Sequence, residues 1–436
     1  MSRPQTPPHE PRYHVHVAQK TIEQLISSAF PGTGLISCSE LETNKGYNNR
    51  LYFLKVRRLG QSSVFRNTDA EKLDLVLKVN GYFFKADKVQ NEVGCIQILK
   101  KYCPDIPAPT VLAWSEDGVH VCLSNPSGPE TKHVSLSIPD EDKRHGGWIL
   151  MLRIPGKPLS TCDFHEATRL DIMRQLAGIV ASWRANIPAQ KYIGNIQFHQ
   201  LLHDSEPDFT ITENSGPGPQ DLVVRGILVD ELWLTTPITS TVQQYTLKIE
   251  QKLEQLDTSS DYAQNRHLAA QIRSFVTNTL PQLDALNPPP PQHSSSGGHF
   301  VFTHYDLSPR NILVTATAGS PPRISGIVDF EFAGFFPPVE EFLNDAVGNA
   351  GDWPEELYGA YLAGLEARGI ATPAKGIDAE VWEAARCLEH VADNVAPWWL
   401  PGPHTGAVLE EKFARSAAEL QENLKKLSNG SRGIRH

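Results

Sequence analysis

Two segments in the last third of the chain limit its folding options more than any other feature. One reads FVFTHYDLSPRNILV over residues 300–314, the other ISGIVDFEFAGFFPP over 324–338. Each carries a β-branched and aromatic run into a short polar cluster that contains an aspartate, Asp306 in the first and Asp329 in the second. The runs NILVTA and RISGIVDF are separated by the turn residues GSPP, so they predict two paired strands. A carboxylate at the end of a buried run is costly to desolvate unless it has a partner.

The first hundred residues read as β-rich. GLISCSEL, RLYFLKVRR and LDLVLKVN have strand character. The stretch KADKVQNEVGCIQILKKYC sets Val89, Val93, Ile96 and Leu99 at helical spacing before the prolines of CPDIPAP. Strand-like PTVLAWS and VHVCLS follow, then a polar stretch at 124–146 read as a loop, and GWILMLRIPGKPL as a buried strand. From residue 165 the periodicity turns helical, with Leu170, Met173, Leu176, Val180 and Trp183 on one face. Further helices are expected at 238–257, 261–287 and from about 353 onward. The expected division is a tail without order at 1–20, a small β-rich lobe at 21–150 and a larger, mostly helical lobe at 151–427 with a helical insert. A Pro/Ser/Gly loop at 288–298 and a flexible tail at 428–436 complete it. The fold class is α+β, and the paired strands near residue 320 fall inside the helical lobe.

Composition excludes several roles. With 40% apolar and 21% charged residues and eight tryptophans, the chain has material for a sizeable core. No run of apolar residues is long enough to span a bilayer. The net charge of −10 argues against wrapping nucleic acid, which needs a basic footprint. Any anion bound here must be held by a local cluster of positive charge or by metal. Six scattered cysteines without a CxxC pair suit reduced thiols in a cytoplasmic protein. His14 and His16 could bind a metal, but a solvated tail is the simpler reading.

The chemistry follows from the residues ending the two runs. A carboxylate beside a hydroxyl can take its proton, while an amide and a second carboxylate can hold a hard divalent ion. His304, Asp306 and Asn311, followed by Asp329, have the spacing of a kinase catalytic loop and its metal strand. That reading demands a strand lysine and a helix glutamate to orient it. LVLKVN supplies Lys78 and VQNEVGCIQIL supplies Glu92. The bland alternative is a lysine reaching out from an edge strand and a surface glutamate. In TNKGYNNRLYFLKV, the backbone from Gly46 to Asn49 could cover a phosphate, or could form an ordinary hairpin turn.

On these residues the chain resembles the aminoglycoside phosphotransferase and choline kinase family, in its fungal-type form. KGYNNRLYFL is similar to that family's single-glycine nucleotide loop, THYDLSPRNILV to its catalytic loop, and GIVDFEFAGFFPPVEEF to its metal-binding strand. The resemblance implies a bilobal protein-kinase-like fold using ATP and Mg2+. It implies Asp306 as catalytic base, Asn311 and Asp329 as magnesium ligands, Lys78 on the phosphates and Glu92 orienting it. It also implies adenine contacts from the backbone around Met151 to Arg153, and a recurrent acidic position at Glu341. The chain departs from the pattern at Tyr305, usually glycine, and at Ser308, where protein kinases carry lysine. Glu331 likewise replaces the glycine that protein kinases carry two places after the metal aspartate. No Ser, Thr or Tyr lies between Asp329 and Glu340, so there is no phosphorylatable activation segment.

The expected activity is transfer of the γ-phosphate of ATP to an alcohol group of a small metabolite. The alternatives are a nucleotide-binding scaffold and an enzyme that activates a carboxylate as an acyl phosphate. Glu341, Glu389 and Asp393, with Trp398 and Trp399, could form a pocket for an amine-containing acceptor; the two tryptophans could equally anchor a turn onto the core.

Overall fold

The computed structural model describes residues 9–41, 46–65, 70–81, 86–124, 132–136, 146–198, 222–234, 236–283, 286, 298–317, 319–343 and 353–430. The chain divides into two compact units, each assembled from separate stretches. The first comprises Met1–Thr168, Ile196–Val223 and Pro309–Ala333; the second comprises Arg169–Asn195, Val224–Ser308 and Gly334–His436.

The first unit is built on a seven-stranded antiparallel sheet of β1 (Thr33–Glu40), β2 (Asn49–Arg58), β3 (Lys72–Asn80), β4 (Val111–Ser115), β5 (His120–Leu123), β6 (Lys132–Ser135) and β7 (Trp148–Leu152), in the order β1-β2-β3-β7-β4-β5-β6. Side chains alternate along β3 as a pleated strand requires. Leu75, Leu77 and Val79 enter a core shared with Ile22, Leu25 and Ile26 of the helix α1 (Gln19–Ala29). Lys78 points to the opposite face, where it meets Glu92 of α2 (Ala86–Tyr102). A smaller sheet pairs Ile312–Thr315 with Arg323–Ile327, Ile312 standing opposite Ile327, and adds Lys157–Pro158 on its other side.

The second unit is mostly helical. The helices Thr241–Thr258, Ala269–Asn278, Ala379–Val395 and Gly406–Gly430 share one apolar core through residues such as Ile249, Ile272, Leu388 and Leu420. Ser240 and Asp378 cap two of them by accepting backbone N–H groups of the first turn. Val301–Thr303 pairs antiparallel with Gly334–Phe336. No described helix is long and apolar enough to cross a membrane.

Several sequence expectations need revision. The tail does not extend to residue 20: Val15 and Val17 are buried in the first unit's core, and α1 begins at Gln19. The polar stretch at 124–146 contains β6, which continues the sheet beside β5. The stretch 261–287 is not one α-helix; a 3-10 segment, Ser260–Leu268, precedes Ala269–Asn278. The paired strands near residue 320 belong to the first unit, not to a helical lobe. The reason is hydrogen bonding: Asn91 of α2 donates to the carbonyl of Glu331 at 2.9 Å and Cys95 donates to that of Ala333. The Pro/Ser/Gly stretch falls outside the described residues except for Gly298. Of the C-terminal tail, 428–430 still belong to the last helix and the rest lies outside the described residues.

Candidate active site

Lys78 sits mid-sheet between Leu51 of β2 and Ile149 of β7, so its ammonium has little water and needs anions. It finds three. Its Nζ lies 2.6 Å from Glu92, 2.5 Å from Asp329 and 2.8 Å from Glu331. Burial opposes the charge, but Asp329, Glu331 and Glu92 together keep the lysine protonated well above its ordinary range. Glu92 responds in the opposite sense: burial pushes its carboxyl up to about 7 against the pull of Lys78.

Glu331 is the hub of this cluster. It accepts from Asn48 Nδ2 at 2.8 Å and from Asn49 Nδ2 at 2.5 Å. It also pairs with Lys78 and with Lys88, the latter at 3.0 Å. Burial alone would raise its carboxyl, yet the two lysines hold it well below the carboxylate range. Lys88 is fully buried one turn ahead of Glu92, so α2 presents both to the same side. Its Nζ donates to Asn49 Oδ1 at 2.9 Å. Lys88 and the hub role of Glu331 were absent from the sequence reading. The available signal was a lysine four places before the expected glutamate, on the same face of the helix.

Asp329 closes the cluster at the end of its strand. Its side chain is 30% exposed, and its φ of 71° is left-handed. The carbonyl of Asn311 accepts the amide of Val328 at 2.9 Å, so the backbone sets Asn311 beside the residue preceding Asp329. Oxygen atoms of Glu92, Asp329 and Glu331 all lie within 4.8 Å of one another. These oxygens surround the Lys78 ammonium; of the three carboxylates Asp329 is the partly exposed one, and so the one that could also reach a hard cation such as Mg2+.

The other expected residues fall as follows. Gly46 has a left-handed φ of 111° ahead of Asn49, whose side chain is committed to Glu331. Met151 pairs with Val76 and Val111 inside the sheet. The amide of Arg153 donates to Asp74 O, that of Leu152 to Thr110 O, and the Arg153 guanidinium lies 4.5 Å over the ring of Phe53. Both amides are therefore used in backbone pairing.

Asp306 belongs to the second unit. Its loop is fixed from within: the Asp306 amide donates to His304 Nδ1 at 3.3 Å, its carbonyl accepts from Ser308, and Trp353 Nε1 donates to Leu307 O. Tyr305 has a left-handed φ of 69°, is buried, and stacks 4.6 Å from Phe336. It is a core tyrosine, and among the described residues its hydroxyl has no hydrogen-bond partner.

Two of the three acidic residues considered for an amine pocket, Glu341 and Glu389, are already engaged. Glu341 accepts from Arg184 at 2.9 Å, with both side chains buried. Glu389 pairs with Lys248 at 3.0 Å and accepts from Tyr245 OH at 3.0 Å. Lys248 also faces Asp230, and Glu340 accepts from Gln244 at 3.0 Å. Burial and the neighbouring Glu389 push both Glu340 and Asp393 up to about 7. Trp399 packs against the helical core while Trp398 is exposed.

A family model described as the phosphotransferase enzyme family matches residues 54–377. No curated protein sequence matches significantly. Among solved structures, the chain is similar to the ADP-bound aminoglycoside phosphotransferase APH(2'')-Ib, with 10% identity, a TM-score of 0.48, and coverage of 94% of this chain and 99% of that one. It is also similar to the macrolide 2'-phosphotransferase MphH from Brachybacterium faecium, with 14% identity, a TM-score of 0.44, and coverage of 92% and 98%. A microcompartment-associated aminopropanol kinase matches with 15% identity, a TM-score of 0.41, and coverage of 95% and 99%.

Proposed function

Because the chain belongs to the phosphotransferase enzyme family, we propose that it transfers the γ-phosphate of ATP to an alcohol group of a small metabolite, with Mg2+. The observation that carries this reading is the buried Lys78 held between Glu92 at 2.6 Å and Asp329 at 2.5 Å. A lysine trapped by carboxylates can exchange one of them for a phosphate oxygen without losing its charge partner. In this reading Lys78 contacts the phosphates, Glu92 orients it, and the loop Gly46–Asn49 covers them. Asn311 and Asp329 would hold Mg2+, which neutralises phosphate charge when bound. Asp306, five places before Asn311, takes the proton of the acceptor hydroxyl. The adenine contact falls to the stretch Met151–Arg153 through groups other than the two engaged amides.

The acceptor need not be an amine. Glu341 and Glu389 already carry internal cations, and this weakens the case for a cationic substrate. A metabolite-pool screen for ADP production, run on the wild type and Asp306→Asn side by side, tests the proposal. Wild-type turnover should fall at least about a hundredfold in the variant while Mg-ADP still binds. Near-full activity in Asp306→Asn would remove the base from the mechanism. Turnover that depends on a carboxylic acid would favour acyl phosphate formation instead.

A further inference from the structure

The family-matched region begins at residue 54, yet the chain ahead of it is folded onto the loop just described. We propose that residues 9–17 are a positioning element of the nucleotide loop, with Pro11 and Arg12 bracing Gly46–Asn49 separately from Glu331. The inference rests on reading that loop as the phosphate cover.

The segment has a firm anchor. Val15 and Val17 are buried in the sheet core, and the Val17 amide donates to Tyr52 OH at 2.9 Å. From there the chain folds back through a turn in which Val15 N–H donates to Arg12 O and Tyr13 N–H to Glu10 O. Arg12 is brought inside: its side chain is 4% exposed, and Glu10 holds its Nε at 2.7 Å. A Cβ placed on Gly46 would stand 3.6 Å from Arg12 Nη1, so the guanidinium borders the loop's left-handed glycine. Arg50 Nη2 reaches Arg12 O at 3.5 Å. The His9 and Tyr47 rings lie 6.5 Å apart.

Gly81, just past β3, is the spacer between segment and loop. Its amide donates to Asn48 O at 2.9 Å. A Cβ there would meet the backbone of Pro11 at 2.6 Å and Asn48 O at 2.7 Å. Both obstacles are backbone, so a methyl group could enter only by separating the segment from the loop. The Asn48 and Asn49 side chains are fixed separately by Glu331. The loop is thus held by two sets of contacts, and only those to Glu331 belong to the Lys78 cluster. A segment that merely completed the core would need Val15 and Val17, but would have no use for a buried arginine against Gly46.

The test uses the full-length chain and three variants, Gly81→Ala, Arg12→Ala and Arg12→Lys. Hydrogen exchange at the amides of 46–50 is measured without nucleotide. Mg-ADP affinity is measured by calorimetry, and KM for ATP and kcat with any acceptor the screen yields. Gly81→Ala and Arg12→Ala should speed exchange in the loop and raise both the Mg-ADP Kd and the KM about tenfold, the scale of a sub-ångström misplacement, with kcat held within about twofold. Arg12→Lys should recover part of the affinity. Wild-type exchange and affinity in both alanine variants, or a lowered Tm as the sole change, would overturn the proposal. If Gly81→Ala fails to fold, Arg12→Ala decides. A wild type that binds no Mg-ADP would end the functional reading instead, while the exchange measurement still accepts or rejects the brace.

Discussion

Each unit buries a cluster of charge, and the two are built from nearly the same parts. The first sets Lys78 and Lys88 against Glu92, Asp329 and Glu331; the second sets Lys248 and Lys252 against Asp230, Glu340, Glu389 and Asp393. Both hold more carboxylates than lysines, and they resolve the excess differently. In the first, each carboxylate touches a lysine, and Asp329 stands partly exposed at the end of its strand. In the second, burial raises two carboxyls, Glu340 and Asp393, to about 7, where the first has one, Glu92. An exposed carboxylate can exchange partners with metal or phosphate.

The comparison breaks most visibly if the lysines are removed. Lys78→Met leaves three carboxylates facing each other and should cost about 3 kcal/mol, near the lower end for a broken buried pair because Glu92 readily takes a proton. It should also abolish Mg-ADP binding. Lys248→Met should cost a similar amount in denaturant unfolding but leave Mg-ADP affinity unchanged. Equal loss of affinity in both would show that the clusters are not separate in function. Asp329→Asn should weaken Mg-ADP binding by about tenfold or more, the scale of one lost charge-assisted contact, with little change in Tm. Unchanged affinity across a magnesium titration would remove Asp329 from the metal site.

A smaller effect is expected with pH. Glu340 and Asp393 bind protons in the folded state that the unfolded chain has released. Their raised pKa values therefore favour folding below the ordinary carboxylate range, and that contribution is lost as pH rises through about 7. Glu92 adds the same sign from the first cluster. Thermal stability should fall between pH 5 and pH 8, and Glu340→Gln, which keeps an oxygen for Gln244 and Tyr245, should flatten the slope. A slope unchanged by that variant would place the titration elsewhere. The smallest effect belongs to Tyr305→Phe. Its hydroxyl is buried without a partner among the described residues, so removal should change stability by between zero and about 1 kcal/mol in the stabilising direction. A loss of acceptor affinity would instead give the hydroxyl a role in substrate binding.

Motif spacing made much of the first cluster legible. Lys78 and Glu92 are legible as partners because a lysine inside an apolar strand demands one, and the structure adds Asp329, expected as a metal ligand, within hydrogen-bond distance of the same ammonium. In sequence Glu331 stands out only as the replacement for a protein-kinase glycine. Its bonds to Asn48 and Asn49 cross more than 280 positions, and no local pattern carries such information. The N-terminal segment reads as a tail in sequence, although Val15 and Val17 in HVHV already alternate as a buried extended chain does. The second cluster stayed hidden for another reason. Glu389 and Asp393 looked available because Lys248, on a helix some 140 positions earlier, carries no mark of facing them.

The left-handed backbone at Asp329 narrows what that position can become. Most side chains lose about 1–2 kcal/mol there from the crowding of Cβ against the carbonyl, while glycine, asparagine and aspartate are spared most of it. Of those three only aspartate is an anion. Torsion angle and charge therefore select the same residue independently, so drift away from it must break one requirement or the other.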